Sequence, residues 1–177
     1  MSKQKVLLHI CCGVCAFACV ESLRQKGFDV TGFFFNPNIH PQSEYQIRWE
    51  ALGQVAEHAG LKVISGQYLA DEWFSRCEKY KDQPEGKQRC LVCFRLRLEQ
   101  TFQECLNRGF DFFTTTLTVS PHKNSKVILE LGETISREKF LAFDFKKEKG
   151  FEKTIAFAKS QNIYRQRYCG CVYSQPK

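Results

Sequence analysis

Short apolar runs alternate with longer helical patterns along this chain, and that alternation constrains its fold more than any other feature. Runs rich in β-branched and aromatic residues cover residues 6–10, 30–35, 61–64, 110–116 and 140–145. Each has the length of a strand, and turn residues such as Cys11-Cys12-Gly13 and Asn36-Pro37-Asn38 follow the first two. Helical patterns lie between them. Residues 15–26 are closed by Gly27, and residues 43–59, with Tyr45, Trp49, Leu52 and Val55 on one face, are closed by Gly60. Leu91, Phe94, Leu98, Phe102 and Cys105 mark a firm helix ending near Gly109. Residues 72–80, 127–138 and 151–161 carry weaker helical patterns. This order predicts an α/β protein, a parallel sheet with helices on both faces. The polar stretch 81–89, with Pro84 and Gly86, reads as a mobile loop, and the end of the chain as an irregular, Cys-rich tail.

In such folds a ligand binds beyond the carboxyl ends of the strands, near the point where strand order reverses. Cys11 and Cys12 follow the first strand, Thr114-Thr115-Thr116 and Ser120-Pro121-His122-Lys123-Asn124 lie at and beyond the fourth, and Asp144 ends the fifth. One end of the sheet therefore collects the unusual residues. A length of 177 residues predicts one domain, residues 1–177. No apolar stretch is long enough for a membrane span, and the run at residues 6–10 is too short for a signal peptide. A cytoplasmic location is the expectation. The net charge of +7 suits a polyanionic partner. From residue 137 to residue 177 there are ten Lys and Arg against four Asp and Glu, so nearly all the excess lies in the last quarter. A merely solvated basic face is the plainer explanation of that bias.

Ten cysteines in a reducing compartment argue for metal binding or thiol chemistry rather than disulfides. Seven are clustered: Cys11, Cys12 and Cys15; Cys90 and Cys93; Cys169 and Cys171. Seven exceed the four that close a tetrahedral site or hold one [4Fe–4S] cluster, and four plus three leaves a second metal with an open position. Adjacent residues of an extended chain point to opposite sides, so Cys11 and Cys12 are expected to serve different metals or to bridge two. Cys15 and Cys90 stand near predicted helix N-termini, where the dipole favours thiolate. Cys19 and Cys105 read as core residues and Cys77 is unassigned. His9, inside a strand, reads as a core histidine. A structural zinc site with buried thiols is the plainer alternative.

The same residues carry a resemblance to the QueH family of epoxyqueuosine reductases. It runs along nearly the whole chain: His9-Ile10-Cys11-Cys12 with Cys15, Phe35-Asn36-Pro37-Asn38-Ile39, Arg89-Cys90 with Cys93, Thr115-Thr116-Leu117, Ser120-Pro121-His122-Lys123-Asn124, Tyr164-Arg165-Gln166, and Tyr168-Cys169-Gly170-Cys171-Val172-Tyr173-Ser174. The last block is the most specific. Gly13-Val14 departs from the expected Ala-Pro, which removes a helix-starting proline and no candidate ligand. The resemblance implies a Rossmann-like fold similar to the PP-loop and adenine nucleotide alpha hydrolase group. Cys11-Cys12-Gly13 stands where ATP-using members carry a Ser-Gly-Gly-x-Asp-Ser phosphate loop, so ATP use is not expected.

The resemblance also implies an activity: reduction of the epoxide of epoxyqueuosine to the alkene of queuosine at the tRNA wobble position, without cobalamin. The cofactors implied are a [4Fe–4S] cluster beside a mononuclear iron, held among Cys11, Cys12, Cys15, Cys90, Cys93, Cys169 and Cys171. Deoxygenation takes two electrons and two protons. Tyr168, Asp144 and His9 are the candidate proton donors, with Tyr168 first for its place beside Cys169. Arg165, Arg167 and Lys146 are candidates for tRNA phosphate contacts, and an aromatic side chain could stack on the unstacked base. An unidentified electron donor is a further expected partner. Two rivals stand beside this reading: a metal-free thiol–disulfide enzyme using Cys169 and Cys171, and a zinc-containing RNA-binding module.

Overall fold

The computed structural model describes residues 3–147 and 149–175. Met1 and Ser2 of the N-terminal segment, Glu148, Pro176 and the basic Lys177 lie outside the described residues. Four parallel strands form the sheet: β1 (Lys5–His9), β2 (Asp29–Phe34), β3 (Lys62–Ser65) and β4 (Phe112–Thr115), in the order β3-β2-β1-β4. Val6 pairs with Val30 on one side and with Phe112 on the other, so β1 is central. Val6, Leu7, Leu8 and His9 have no exposed surface. A strand covered on both faces reads as a continuous apolar run rather than an alternation, as this one does.

Among the described residues six α-helices flank the sheet: α1 (Gly13–Gln25), α2 (Gln42–Ala59), α3 (Ala70–Cys77), α4 (Gln88–Asn107), α5 (Ser125–Ile135) and α6 (Gly150–Ser160). α1 packs with α2 and α6, while α4 packs with α3 and α5. Right-handed crossovers account for this division: β1-α1-β2 and β2-α2-β3 run one way, and the return through α4 to β4 lays that helix on the other face. Strand order therefore reverses between β1 and β4, and their carboxyl ends form the crevice. One expected cap and one unexpected cap fix helix ends. Gly60 closes α2 in the left-handed region (φ 54°), with its N–H donating to Ala56 O, and Asn124 Oδ1 accepts from Val127 N at the start of α5.

The expected fifth strand, residues 140–145, does not form. It makes one parallel bridge, Phe113 to Phe140, with Phe113 N donating to Lys139 O and Leu141 N donating to Phe113 O. Beyond it, β4 turns into a 3-10 segment, Thr116–Val119, and offers no backbone ladder. Threonine hydroxyls take its place: Thr114 Oγ1 donates to Leu141 O at 2.8 Å, and Thr118 Oγ1 donates to Phe143 O at 2.9 Å. Phe140 and Phe145 still join the core, so the apolar pattern reported burial, not a strand.

Two segments without regular structure are tied down by buried arginines. Arg89 Nη1 donates to Lys81 O at 2.8 Å, to Tyr80 O at 3.3 Å and to Gln83 O, so residues 81–89, expected to be mobile, are anchored from the start of α4. Arg48 of α2 pairs with Glu44 at 2.7 Å and donates to Tyr168 O at 3.0 Å and Cys169 O at 3.2 Å. Glu44 also accepts from Tyr164 Oη at 2.9 and 2.8 Å. His40 N donates to Gly170 O at 2.8 Å. The irregular tail is thereby strapped across the end of the sheet beside β1.

Candidate metal centre

The turn from β1 into α1 builds the first thiol group. Cys12 is the N-cap of α1 with an extended backbone, and the helix begins at Gly13. Cys11 and Cys12 nevertheless do not send their sulfurs to opposite sides, as the alternation of a strand predicted. Their sulfurs lie 4.0 Å apart, and Cys15, one turn into α1, brings its sulfur to 2.6 Å from that of Cys12. All three sulfurs fall within 4.8 Å of one another. Thr116, just past β4, donates its hydroxyl to Cys11 Sγ at 3.2 Å and accepts from Cys11 N at 3.1 Å. Both sides of the crevice thus fix Cys11.

Charge in this group settles on Cys11, not on Cys15 as the helix dipole alone suggested. Hydrogen bonding from Cys12 and Cys15, aided by the Lys123 and Arg97 charges, holds Cys11 well below the ordinary thiol value against the cost of burial. Its hydrogen bond to Cys11 pushes Cys12 up to about 12, and hydrogen bonding to Cys11 and Cys12 raises Cys15 well above its usual value. One thiolate held by two thiols is the arrangement a low-dielectric pocket favours.

The second group comes from two distant parts of the chain. Cys90 and Cys93, in the first turns of α4, line a small cavity of about 20 Å³ with Cys169 and Cys171 of the tail. Burial raises Cys90 and Cys93; the N–H of Gly86, 3.1 Å from Cys90 Sγ, opposes this at Cys90, as Arg97 does at Cys93. Cys169 is pulled down to about 6 by hydrogen bonding from the Cys171 thiol, and Cys171 is raised in turn. Gly170 makes this Cys-Gly-Cys turn possible. Its φ is +103°, and a Cβ there would stand 2.8 Å from Ile39 Cγ1.

Cys11, Cys15 and Cys169 also line a larger cavity of about 420 Å³ at the end of the sheet. Arg48, Arg97, Lys123, Arg165 and Arg167 border it against one acid, Glu85. The volume suits a nucleoside-sized ligand, and the charge suits an anionic one. Sequence reasoning named Arg165 and Arg167 but missed Arg48, Arg97 and Lys123. Lys123 had a signal, its place in the Ser120–Asn124 block. The two buried arginines had none, because a helical arginine looks the same whether it faces solvent or a site.

The proton-donor candidates separate. Tyr168 borders the cavity, with its hydroxyl donating to His40 O and its ring beneath the Arg48 guanidinium at 5.3 Å. His9 is fully buried between Thr115 Oγ1 at 2.9 Å and Phe35 O at 3.1 Å, and burial lowers it to about 3, so it is a neutral, satisfied core histidine. Asp144 does not border the cavity. It accepts from Ser125 Oγ at 2.9 Å and from Lys146 N at 3.3 Å. Lys146 lies outside the lining too, with its ammonium donating to Lys123 O at 2.5 Å. Cys19, Cys77 and Cys105 are wholly buried and line neither cavity, Cys77 lying close enough to Cys90 and Cys93 to feel their charge.

A parallel α/β sheet with a thiol cluster at its switch point and a basic cavity above defines a class: a cysteine-rich relative of the PP-loop fold. The solved U34-tRNA thiolase NcsA from Methanococcus maripaludis with its [4Fe-4S] cluster has this fold, with a TM-score of 0.55 at 10% identity. The match covers 98% of this chain and 59% of that one, so this chain spans less than two thirds of the thiolase. More specifically, the chain belongs to the epoxyqueuosine reductase QueH family, whose model matches residues 6–177. It is 41% identical over 175 residues to the epoxyqueuosine reductase QueH of Thermotoga maritima, covering 96% of this chain and 89% of that protein. To that of Streptococcus pyogenes it is 36% identical over 181 residues, covering 97% and 71%.

Proposed function

We propose that this protein reduces the epoxide of epoxyqueuosine in tRNA to the alkene of queuosine, in the cytoplasm, as a single domain and without cobalamin. The observation that carries the reading is a basic cavity that Cys11 and Cys15 of the three-thiol group line together with Cys169, itself one of four thiols around a second cavity. The donor set fits iron. Cys90, Cys93, Cys169 and Cys171 would hold a [4Fe–4S] cluster, whose thiolates must surround a cuboid rather than a point. Cys11, Cys12 and Cys15 converge closely enough for a single iron with one open position. Arg97 and Lys123 border both cavities and offset the negative charge of bound thiolates. Bound there, these centres would supply the two electrons and a Lewis-acidic contact for the epoxide oxygen.

The chain's own residues would do the rest. Arg165, Arg167 and Lys123 would hold backbone phosphates around the wobble nucleotide. Phe151 and Thr154 of α6 form a wall of the cavity, an aromatic face and a hydroxyl on which a splayed base could rest. Tyr168 remains the candidate proton donor, at the cost of its hydrogen bond to His40 O. Asp144 and Lys146 would position Lys123 through the Ser125 and Lys123 O contacts rather than touch the substrate.

The test is anaerobic iron loading, followed by nucleoside mass spectrometry of a tRNA with a G-U-N anticodon bearing epoxyqueuosine. The expected product is lighter by one oxygen atom. Ser in place of any of the seven clustered cysteines should lower iron content or stop the reaction, while Cys105→Ser should keep both. Protein that binds only zinc, or an epoxide that persists with iron-loaded enzyme and reductant, would overturn the reading.

A further inference from the structure

Among the described residues, three buried N–H groups around the four-cysteine cavity lack an oxygen or nitrogen acceptor, Trp73 Nε1, Arg89 Nε and Arg97 Nε, and the Trp73 indole meets the Cys93 thiol. All three residues line that cavity, and their exposures are 0%, 2% and 3%. A buried donor left unpaired loses its water without gaining a partner, so native structures rarely leave even one without a reason. Three converging on one cluster of thiols is a pattern, not an accident of packing.

None of the three is free to turn elsewhere. Arg89 spends Nη1 on the carbonyls of residues 80, 81 and 83 and Nη2 on Ser174 Oγ. Arg97 donates Nη2 to Asn36 Oδ1 at 2.7 Å and holds Nη1 4.0 Å from Cys93 Sγ. The Trp73 ring is gripped by Tyr173, stacked at 5.9 Å, and by Phe74 and His40, each at 5.2 Å. What remains for each residue is an N–H in a cavity whose acceptors are four sulfurs, the unpaired Asn38 Oδ1 and the Glu85 carboxylate.

We propose that Trp73, with Arg89 and Arg97 behind it, donates an N–H hydrogen bond to sulfur at the four-cysteine site and thereby raises the reduction potential of the cluster held there. This rests on the assignment of a [4Fe–4S] cluster to that cavity. The physical reason is charge. A cluster gains one negative charge on reduction, and an N–H aimed at its sulfur stabilises the reduced state more than the oxidised one. Arg89 and Arg97 also hold the loop and Asn36, so replacing them disturbs structure as well. Trp73 is the member whose donor can be removed alone.

The experiment compares wild type with Trp73→Phe, and with protein carrying the isosteric benzothienylalanine at position 73, which puts sulfur where indole has N–H. Each is loaded anaerobically with iron and sulfide, checked for equal cluster content, and titrated by EPR against potential. Iron–sulfur stretching is followed by resonance Raman in H2O and D2O. Both replacements should give a more negative midpoint and weaken the D2O shift. An unmoved midpoint and D2O shift in a cluster-bearing isosteric variant overturns the hydrogen bond, including the case in which Trp73→Phe alone shifts through lost packing. Wild-type protein that takes up no cluster overturns the assignment on which the proposal rests.

Discussion

Gly170 shows how one residue decides whether two cysteines can share a site. At φ +103°, with Ile39 2.8 Å from a would-be Cβ, it is strained for any other residue. Gly170→Ala is expected to cost about 1–3 kcal/mol, read as a lower denaturant midpoint, and to lower iron retention because Cys169 and Cys171 can no longer both face the cavity. Cys77 offers a test of burial at a thiol outside the seven clustered ones. It has no exposed surface, and burial pushes its thiol from the ordinary 9.0 up to about 12. Folded protein keeps this proton where unfolded chain releases it. The stabilisation is therefore complete below pH 9 and lost as pH rises from 9 towards 12. Urea titrations at stepped alkaline pH should show wild type losing about 1.4 kcal/mol per pH unit from this group, and Cys77→Ala a slope flatter by that amount.

At the scale of elements, the crossing of α1 and α2 sets the first thiol group. A Cβ on Gly13 would lie 2.6 Å from Leu52 N and 2.8 Å from Ala51 C. These are backbone atoms of α2, which cannot swing aside as a side chain can. The chain has Gly-Val where the family resemblance expects Ala-Pro, and the helices have closed on the space a methyl would take. Gly13→Ala is expected to cost about 1–3 kcal/mol through overpacking and to move Cys12 and Cys15 relative to Thr116. Calorimetry would read the first effect and iron content the second. The same helix carries the tail: Glu44 and Arg48 of α2 hold Tyr164, Tyr168 and Cys169, so α2 is the common support of both thiol groups.

For the whole molecule, charge decides how a large polyanion approaches. The cavity border combines Arg165 and Arg167 of the tail with Arg48 of α2, Arg97 of α4 and Lys123 before α5. tRNA affinity is expected to fall steeply with salt. Arg165→Ala or Arg167→Ala should each reduce the slope of log affinity against log salt by about 1, if the side chain meets one phosphate. Filter binding at several salt concentrations checks this, with iron content measured alongside to show the cluster undisturbed.

Local pattern determined much of this protein. Strand runs and helical spacings in the linear chain carried the parallel α/β class, the presence of the first four strands and the Gly60 cap, because periodicity and turn chemistry act over a few residues. The missing fifth strand shows the limit. Residues 140–145 have the pattern of a strand, but pairing needs a neighbour with free backbone, and β4 had already turned away. The grouping of three and four thiols was equally out of reach of spacing, since Cys90 meets Cys169 only through the return of the tail across α2. So were Arg48 and Arg97, whose long side chains reveal their direction only when other elements close over them. Composition and spacing told which chemistry the chain is equipped for; the tertiary fold alone decided which sulfurs, cations and unpaired N–H groups share one space.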